Sequence, residues 1–371
     1  MRIALVTAHP ITLPGGVQEH VRGLYNYLKK NGHYVKIISP NPGKERSHED
    51  MIYLGYSIPV SSNDSSANMS YCFDQRNIKK LLEKEKFEII HVHNPALFVG
   101  LQMLDMSTSK NIITIHTLPE GSYLFKSFSN FFDILFKDKI LKMDGVIAVS
   151  KPILNYLPKK LNCRIEVIPN GINTERFNPN VKRIEKFDNK KINILFLGRL
   201  DKRKGTIYLI KAFEKIRRGY DNIRLIIAGD GQQMKECKSY VKKNKIHDVN
   251  FEGNISNENL PSYYCTADIF CSPATHGESF GIVLLEAMAC GKPVVAFANA
   301  GYKEVLTGEG AKFLAEPKNV DELAERLEIL IKDKKLRERM GKWGLEEVKK
   351  YDWNVVGKKI LEFYEKVLKG E

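Results

Sequence analysis

The chain has 371 residues, 43% hydrophobic and 27% charged, with 58 Lys and Arg against 44 Asp and Glu for a net charge of +14. That is the make-up of a globular protein of about two domains at roughly 100–200 residues each. It excludes a membrane-spanning chain, since no apolar run approaches the ~20 residues a spanning helix needs.

Arg2 to Thr7 reads as a buried first strand rather than the apolar core of a signal peptide, so a cytoplasmic protein is expected. Val17, Val21, Leu24 and Leu28 recur at helical spacing, and Asn31-Gly32 closes that helix. Val35 to Ser39 is the next strand. Ile78, Leu81 and Leu82 mark a helix ahead of the strand Glu88 to His93. Residues 61–70, rich in Ser and Asn, read as the most loop-like segment. Asn111 to His116, Gly145 to Ser150 and Ile165 to Gly171 follow as short apolar strands, the last ending in a turn. Residues 172–190 are polar and aperiodic, which predicts a linker. The alternation then restarts, with strands at 193–198, 224–229, 249–253, 268–272 and 293–298, and helices at 206–218 and 279–290. Residues 354–369 form an amphipathic helix expected to pack back on the first domain. The predicted division is a domain over 1–171, a linker over 172–191, a second domain over 192–353 and a closing helix over 354–371. Repeated strand–helix units predict an α/β protein with two Rossmann-like parallel sheets. Such sheets bind ligands at the carboxyl ends of their strands, so two facing each other would line a central cleft.

Six cysteines, at 72, 163, 237, 265, 271 and 290, form no Cys-x-x-Cys pair and have no His at a metal-ligand spacing, so neither a zinc site nor a disulfide framework is expected. The positive balance suits an anionic partner, whether nucleotide phosphate, anionic lipid or nucleic acid, and equally suits a solvated Lys-rich surface.

Three strand ends carry candidate chemistry. Pro14-Gly15-Gly16 sits between the first strand and its helix, where glycine permits close approach and helix N–H groups face an anion; a diphosphate contact near Gly16 competes with an ordinary tight turn. Gly198-Arg199-Leu200-Asp201-Lys202-Arg203-Lys204-Gly205 follows the first strand of the second domain. Arg199 would offer forked donors and Lys204 a mobile charge to a pyrophosphate, or the run is a solvated basic turn. In His276 to Pro293, Glu278 is placed at a helix start and Glu286 eight residues on, about two turns, so both carboxylates are expected on one face of a buried helix. Sugar hydroxyls would satisfy them, with Glu278 on the transferred sugar and Glu286 on the ribose; a basic side chain in the core would satisfy Glu286 as well. His116 ends the strand 112–115 beside Thr117. It either donates to a sugar hydroxyl, shields charge at the anomeric carbon, or is structural.

These pieces together resemble the family 4 retaining glycosyltransferases, which have the GT-B fold. The resemblance is carried by Gly15-Gly16, Ile115-His116-Thr117, Ile168-Pro169-Asn170-Gly171, Gly198-Arg199 with Lys204-Gly205, and Glu278 with Glu286, and it covers nearly the whole chain. Within the family it is most similar to the phosphatidylinositol mannosyltransferases, through residues 14–21, Gly277 to Leu284 and Tyr351-Asp352-Trp353. The resemblance implies GDP-mannose as donor, with Gly16, Arg199 and Lys204 on the diphosphate and Glu278 on the sugar. It puts Ser279, Phe280, Gly281 and Ile282 beside the donor, Glu286 on the ribose, His116 at the reaction centre, and Gln18 with Thr117 toward the acceptor. One departure bears on the acceptor: where that subgroup has an Ile-Pro-Tyr-Asn-Gly-Ser loop followed by an Arg, this chain has Ile58-Pro59-Val60-Ser61-Ser62-Asn63 and then Asn68. This argues against a simple phosphoinositol acceptor.

The expected reaction is transfer of a hexose, mannose first, to a lipid-linked or glycan hydroxyl with retention; a UDP-sugar donor of glucose, galactose or N-acetylhexosamine is the alternative. No Asp-x-Asp motif is present, so neither a metal nor another cofactor is expected. Residues 122–143 hold five Phe and four Lys and read equally as a contact with the inner, anionic face of a membrane or as a core-facing helix with a basic outer side. Two rivals come from other classes. Gly229-Asp230-Gly231 is part of a dinucleotide loop, but Met234 takes the third glycine position. A basic lipid or nucleic-acid binding module fits the charge, yet the chain has no recognised nucleic-acid motif.

Overall fold

The computed structural model describes residues 1–371 apart from 14, 42–48, 63–64, 95–98, 119–142 and 159–160, and leaves out the side chains of 58–69. Pro14, the side chain of Asn68 and the amphipathic stretch expected at 122–143, save Met143, thus lie outside the described residues. The chain divides into two compact units, Met1–Gly171 with Trp353–Glu371, and Ile172–Asp352.

Unit 1 is built on an eight-stranded sheet. Its elements run β1 (Arg2–Thr7), α1 (Gly16–Lys30), β2 (Tyr34–Asn41), β3 (Met51–Ser62), β4 (Ser65–Tyr71), α2 (Gln75–Glu85), β5 (Ile89–His93), α3 (Val99–Met106), β6 (Lys110–Ile115), β7 (Gly145–Ala148), α4 (Lys151–Leu154) and β8 (Arg164–Val167). The strand order is β4-β3-β2-β1-β5-β6-β7-β8, parallel except for β4. β1 is apolar without alternation because both of its faces are covered, with Ile3, Ala4 and Leu5 fully buried. The stripe of Val21, Leu24 and Leu28 on α1 packs on Ile3, Leu5, Val35 and Ile37. The C-terminal helix Trp353–Lys369 adds Val356, Ile360, Phe363, Tyr364 and Val367 to the same core. Five such side chains, at ~1.5–3 kcal/mol each, tie the end of the chain to this unit.

The described residues of the segment 61–70 correct the loop expectation. Ser61 and Ser62, and Ser65 to Ser70, belong to an antiparallel ribbon in which Ser57 opposes Ser70 and Ser61 opposes Ser66. A Ser- and Asn-rich run lacks the apolar alternation that marks a strand, but at a sheet edge backbone pairing alone suffices.

Unit 2 is a six-stranded, wholly parallel sheet in the order β11-β10-β9-β12-β13-β14. Its elements are β9 (Ile192–Leu197), α5 (Thr206–Arg217), β10 (Ile223–Ala228), α6 (Met234–Lys243), β11 (Val249–Gly253), α7 (Leu260–Thr266), β12 (Ile269–Ser272), α8 (Ile282–Ala289), β13 (Val294–Phe297), α9 (Ala300–Val305), β14 (Leu314–Ala315), α10 (Val320–Lys332) and α11 (Lys334–Val348). Residues 172–191, expected as a linker, are folded into this unit. Phe177 and Phe187 are buried, Ile172 bridges to Asp352, and the Thr174 hydroxyl donates to the Asp352 carboxylate.

Candidate functional site

In unit 2 the candidate residues collect on loops at the carboxyl ends of β9 and β12. β9 stops at Leu197, and the chain turns through a short 3-10 segment, Lys202–Lys204. Asp201 caps that turn, its side chain accepting from the Lys204 N–H at 3.0 Å, while Arg199 Nη2 lies 3.4 Å from Asp201 Oδ2. Gly229 and Gly231, the pair that suggested a dinucleotide loop, serve this turn: a Cβ on Gly229 would come within 1.9 Å of Gly198 O, and one on Gly231 within 2.6 Å of Leu200 O. Their lack of a side chain lets the two loops touch.

Glu278 does not start a helix. Gly277 and Gly281 have φ of 70° and 114°, in the left-handed region, so helical geometry begins only at Ile282. The expectation that Glu278 and Glu286 share one face of one helix is therefore overturned: Glu278 is on the loop before α8, and only Glu286 is on the helix. Lys204 Nζ lies 2.8 Å and Arg203 Nη1 2.5 Å from Glu278 Oε1, with Arg203 also donating to Gly277 O at 3.2 Å. Burial pushes the Glu278 carboxyl upward, but Lys204 and Arg203 outweigh it and hold its pKa below the ordinary value. A Cβ on Gly301 would sit 2.3 Å from Glu278 O, so α9 fixes the loop from behind. Ser279 is half-buried, and Phe280 is buried edge-to-face with Tyr351 at 5.5 Å. Glu286 is buried and accepts from the Tyr264 hydroxyl at 2.6 Å; burial and then this carboxylate hold the Tyr264 pKa well above its usual value.

In unit 1 the histidines gather. β5 ends at His93 and β6 at Ile115, so parallel pairing brings His93 and His116 side by side. His93 Nδ1 and His116 Nε2 are 3.1 Å apart, and the His116 N–H donates to Asn94 Oδ1 at 2.8 Å. His91, two residues before His93 and so on the same strand face, lies with its ring centroid 4.1 Å from that of His93. Its Nδ1 meets the Tyr364 hydroxyl and its Nε2 the Thr114 hydroxyl, both at 2.6 Å. His20 of α1 packs 4.7 Å from the His116 ring and 5.1 Å from that of Trp353. Burial, and then the neighbouring imidazoles, lowers His91 to about 3 and holds His20 and His93 well below the usual value; burial lowers His116 to about 3. All four rings are therefore neutral at pH 7, so His116 enters any chemistry as an imidazole. The ligand nitrogens of His20, His93 and His116 lie within 4.8 Å of one another, so this cluster could hold a metal ion. Gly16 opens α1 at an exposed helix N-terminus. Gln18 is buried, whereas Thr117 is exposed beside His116.

Arg203, Tyr264, His20, His91 and His93 were not singled out by sequence. Arg203 was lost within a basic run. The His-x-His at 91 and 93 was a usable signal, since alternation puts both rings on one face.

The description "Glycosyl transferases group 1" matches residues 177–346, and "Glycosyltransferase Family 4" matches residues 14–176. The chain is 30% identical to the phosphatidyl-myo-inositol mannosyltransferase of Mycobacterium tuberculosis, covering 99% of this chain and 97% of that one. It is 29% identical to the enzyme of the same name from Propionibacterium freudenreichii, covering 98% and 94%. Among solved structures, sucrose-phosphate synthase from Thermosynechococcus elongatus superposes with a TM-score of 0.80 at 20% identity, covering 100% of both chains. Anabaena HepE in complex with UDP and glucose gives 0.79 at 20% identity, covering 98% and 99%. No described helix is long and apolar enough to cross a membrane.

Proposed function

Since this chain belongs to glycosyltransferase family 4 and has the GT-B fold, we propose that it moves mannose from GDP-mannose to a hydroxyl of a lipid-linked or glycan acceptor, with retention of configuration. The observation that carries the reading is the contact of Glu278 with Lys204 and Arg203 beside the carboxyl end of β9. In this reading Lys204 and Arg199 take the diphosphate, Glu278 turns to the sugar hydroxyls, and Glu286 holds the ribose. Ser279, Phe280, Gly281 and Ile282 lie along the donor. Gly16 is assigned to the diphosphate, and His116, with Gln18 and Thr117, to the sugar and its acceptor.

The bond from the anomeric carbon to the diphosphate oxygen breaks through an oxocarbenium-like state. The acceptor oxygen attacks from the same face, and its proton passes to the departing diphosphate. Arg199 and Lys204 stabilise the charge that grows on that leaving group. No metal takes part. The mannosyltransferase relatives point to mannose and a lipid acceptor, and Asn68 points away from phosphoinositol itself. The work is assigned to the cytoplasmic side of a membrane.

Thermal stabilisation by GDP, UDP and ADP, followed by their mannose, glucose, galactose and N-acetylhexosamine derivatives, tests the donor. GDP and GDP-mannose are expected to raise the melting temperature most. A preference for UDP and a UDP-sugar would replace mannose by the other donor class, and no shift with any nucleotide would sink the reading.

A further inference from the structure

Two of the buried histidines in unit 1 leave nitrogen atoms unused. Among the described residues, neither ring nitrogen of His20 has a partner at hydrogen-bonding distance and angle, and nor has His93 Nε2. Asn170 borders His20 and His116 and favours the charged form of each, yet its Oδ1 meets no described donor at hydrogen-bonding geometry. His20 is 1%, His93 0% and His116 6% exposed, so bulk solvent does not satisfy these atoms. Orphaned polar atoms are costly to bury, about 1–3 kcal/mol each. Here they lie in one place: one nitrogen each from His20, His93 and His116 falls within 4.8 Å of the other two.

The spacing suits a coordination site. A tetrahedral zinc ion with Zn–N bonds of about 2.0–2.1 Å holds its nitrogens about 3.3 Å apart. His93 Nδ1 and His116 Nε2 already stand 3.1 Å apart. The His20 ring centroid lies 4.7 Å from that of His116 and 5.4 Å from that of His93, so a small turn of the ring closes the remaining gap. Asn170 Oδ1 or a water takes the fourth position. The proton between His93 and His116 moves to the far nitrogen of whichever ring carries it, so coordination releases none. Among the described residues no carboxylate joins the group, which disfavours magnesium and calcium and suits a borderline ion such as zinc. The same lack leaves the two charges of the ion uncompensated in a buried place, so zinc binds reversibly rather than as a permanent part of the fold. The way in is short. His116 adjoins exposed Thr117, and exposed Gly15 and Gly16 lead into α1, which carries His20.

We infer that His20, His93 and His116 form a reversible zinc site whose occupancy switches sugar transfer off. The inhibitory sign rests on the assignment of His116 to the reaction centre. Zinc on His116 ties up a lone pair of that imidazole and sets a divalent cation where positive charge grows on the anomeric carbon. Like charges so close raise the barrier. The metal-free chain is the working form, and zinc is its brake.

Titrations of zinc, cobalt and magnesium chloride into the chelator-treated full chain at neutral pH test the site. Wild type is expected to bind one zinc ion, to melt higher with it, and to give cobalt the strong visible absorption of four-coordinate geometry. Magnesium should do none of these. His20→Phe keeps a ring of similar size and removes both nitrogens; His93→Gln removes a second ligand independently. Melting in chelator shows that each variant is folded. Zinc affinity should fall at least about tenfold in each, a loss expected even for an outer partner of a ligand. Zinc should slow wild-type transfer at least about tenfold, with chelator restoring it, and the ratio of the two rates should approach one in His20→Phe. Wild type that binds no zinc, variants that bind it as tightly, or bound zinc that leaves transfer unslowed overturns the inference. A chain that transfers no sugar from any donor condemns the donor reading instead, while the zinc and cobalt titrations still decide the metal site.

Discussion

Lys204 Nζ stands 2.8 Å from Glu278 Oε1, so the cation assigned to the diphosphate and the acid assigned to the sugar occupy each other. Arg203 shares the same oxygen at 2.5 Å, and all three side chains are at most 17% exposed. Charges this buried need partners. The donor has both kinds to offer, phosphate for the cations and hydroxyls for the acid, and can replace the internal pairing without leaving a charge bare.

Glu278→Gln should separate grip from transfer. Without the acid, Lys204 and Arg203 stay buried and uncompensated, costing the unliganded protein about 3 kcal/mol. A nucleoside diphosphate should then stabilise the variant more than wild type, while sugar transfer falls by at least about a hundredfold. A smaller nucleotide shift than wild type would remove the competition between acid and phosphate.

Tyr264→Phe removes the hydroxyl that donates to Glu286 at 2.6 Å and leaves the ring in place. The loss of a hydrogen bond to a buried carboxylate should cost about 1.5–3 kcal/mol of stability. Nucleotide affinity should drop about fivefold with turnover at saturation spared, because Glu286 is assigned to the ribose rather than to the reacting carbon. Unchanged affinity would detach Glu286 from the nucleoside.

The histidine cluster makes folding sensitive to mild acid. His91 and His116 have folded pKa values of about 3, against about 6.5 when unfolded. The unfolded chain therefore takes up protons first as pH falls. Their stabilisation is full above pH 6.5 and is lost on the way down, by up to ~1.4 kcal/mol per pH unit for each ring. Glu278 acts lower, since its depressed carboxyl contributes above about pH 4.5 and loses its effect only as pH falls through the folded value. Urea melts at pH 7 and pH 5.5 thus isolate the histidines, and a midpoint that does not fall would contradict their neutrality.

EDTA bears on the chemistry of the same cluster. Three ring nitrogens within 4.8 Å could bind a metal, whereas the transfer as proposed uses none. Turnover should survive dialysis against chelator within about twofold of its starting value. Loss of activity restored by zinc would assign a metal role to His20, His93 and His116.

The strands were readable because parallel strands buried on both faces are continuous apolar runs: Arg2–Thr7 and Val294–Phe297 stand where hydrophobicity alone puts them. The ribbon was not, since Ser65–Tyr71 is set by pairing with β3 rather than by side-chain pattern. Helices α10 and α11 carry clear starts in Asn319 and Asp333, whose side chains accept from the Glu322 and Leu336 N–H groups, but charged residues crowd those segments and dilute their stripes. At the site, position after a strand placed Arg199 and Lys204 on their turn, and the apolar run around Glu286 placed that acid on its helix. Neither signal could show that Glu278 precedes the helix, because that depends on the left-handed backbone of Gly277 and Gly281. Nor could either show four histidines converging, because they come from one helix and two strands and meet only through sheet register.

Calorimetric titration of GDP into wild type, Lys204→Ala and Glu286→Ala addresses the donor grip directly. The account predicts binding to wild type, weakened by at least about tenfold in each variant, since each loses a charge-assisted contact of about 1.5–3 kcal/mol. Equal affinities across the three proteins would contradict it and place the nucleotide away from these loops.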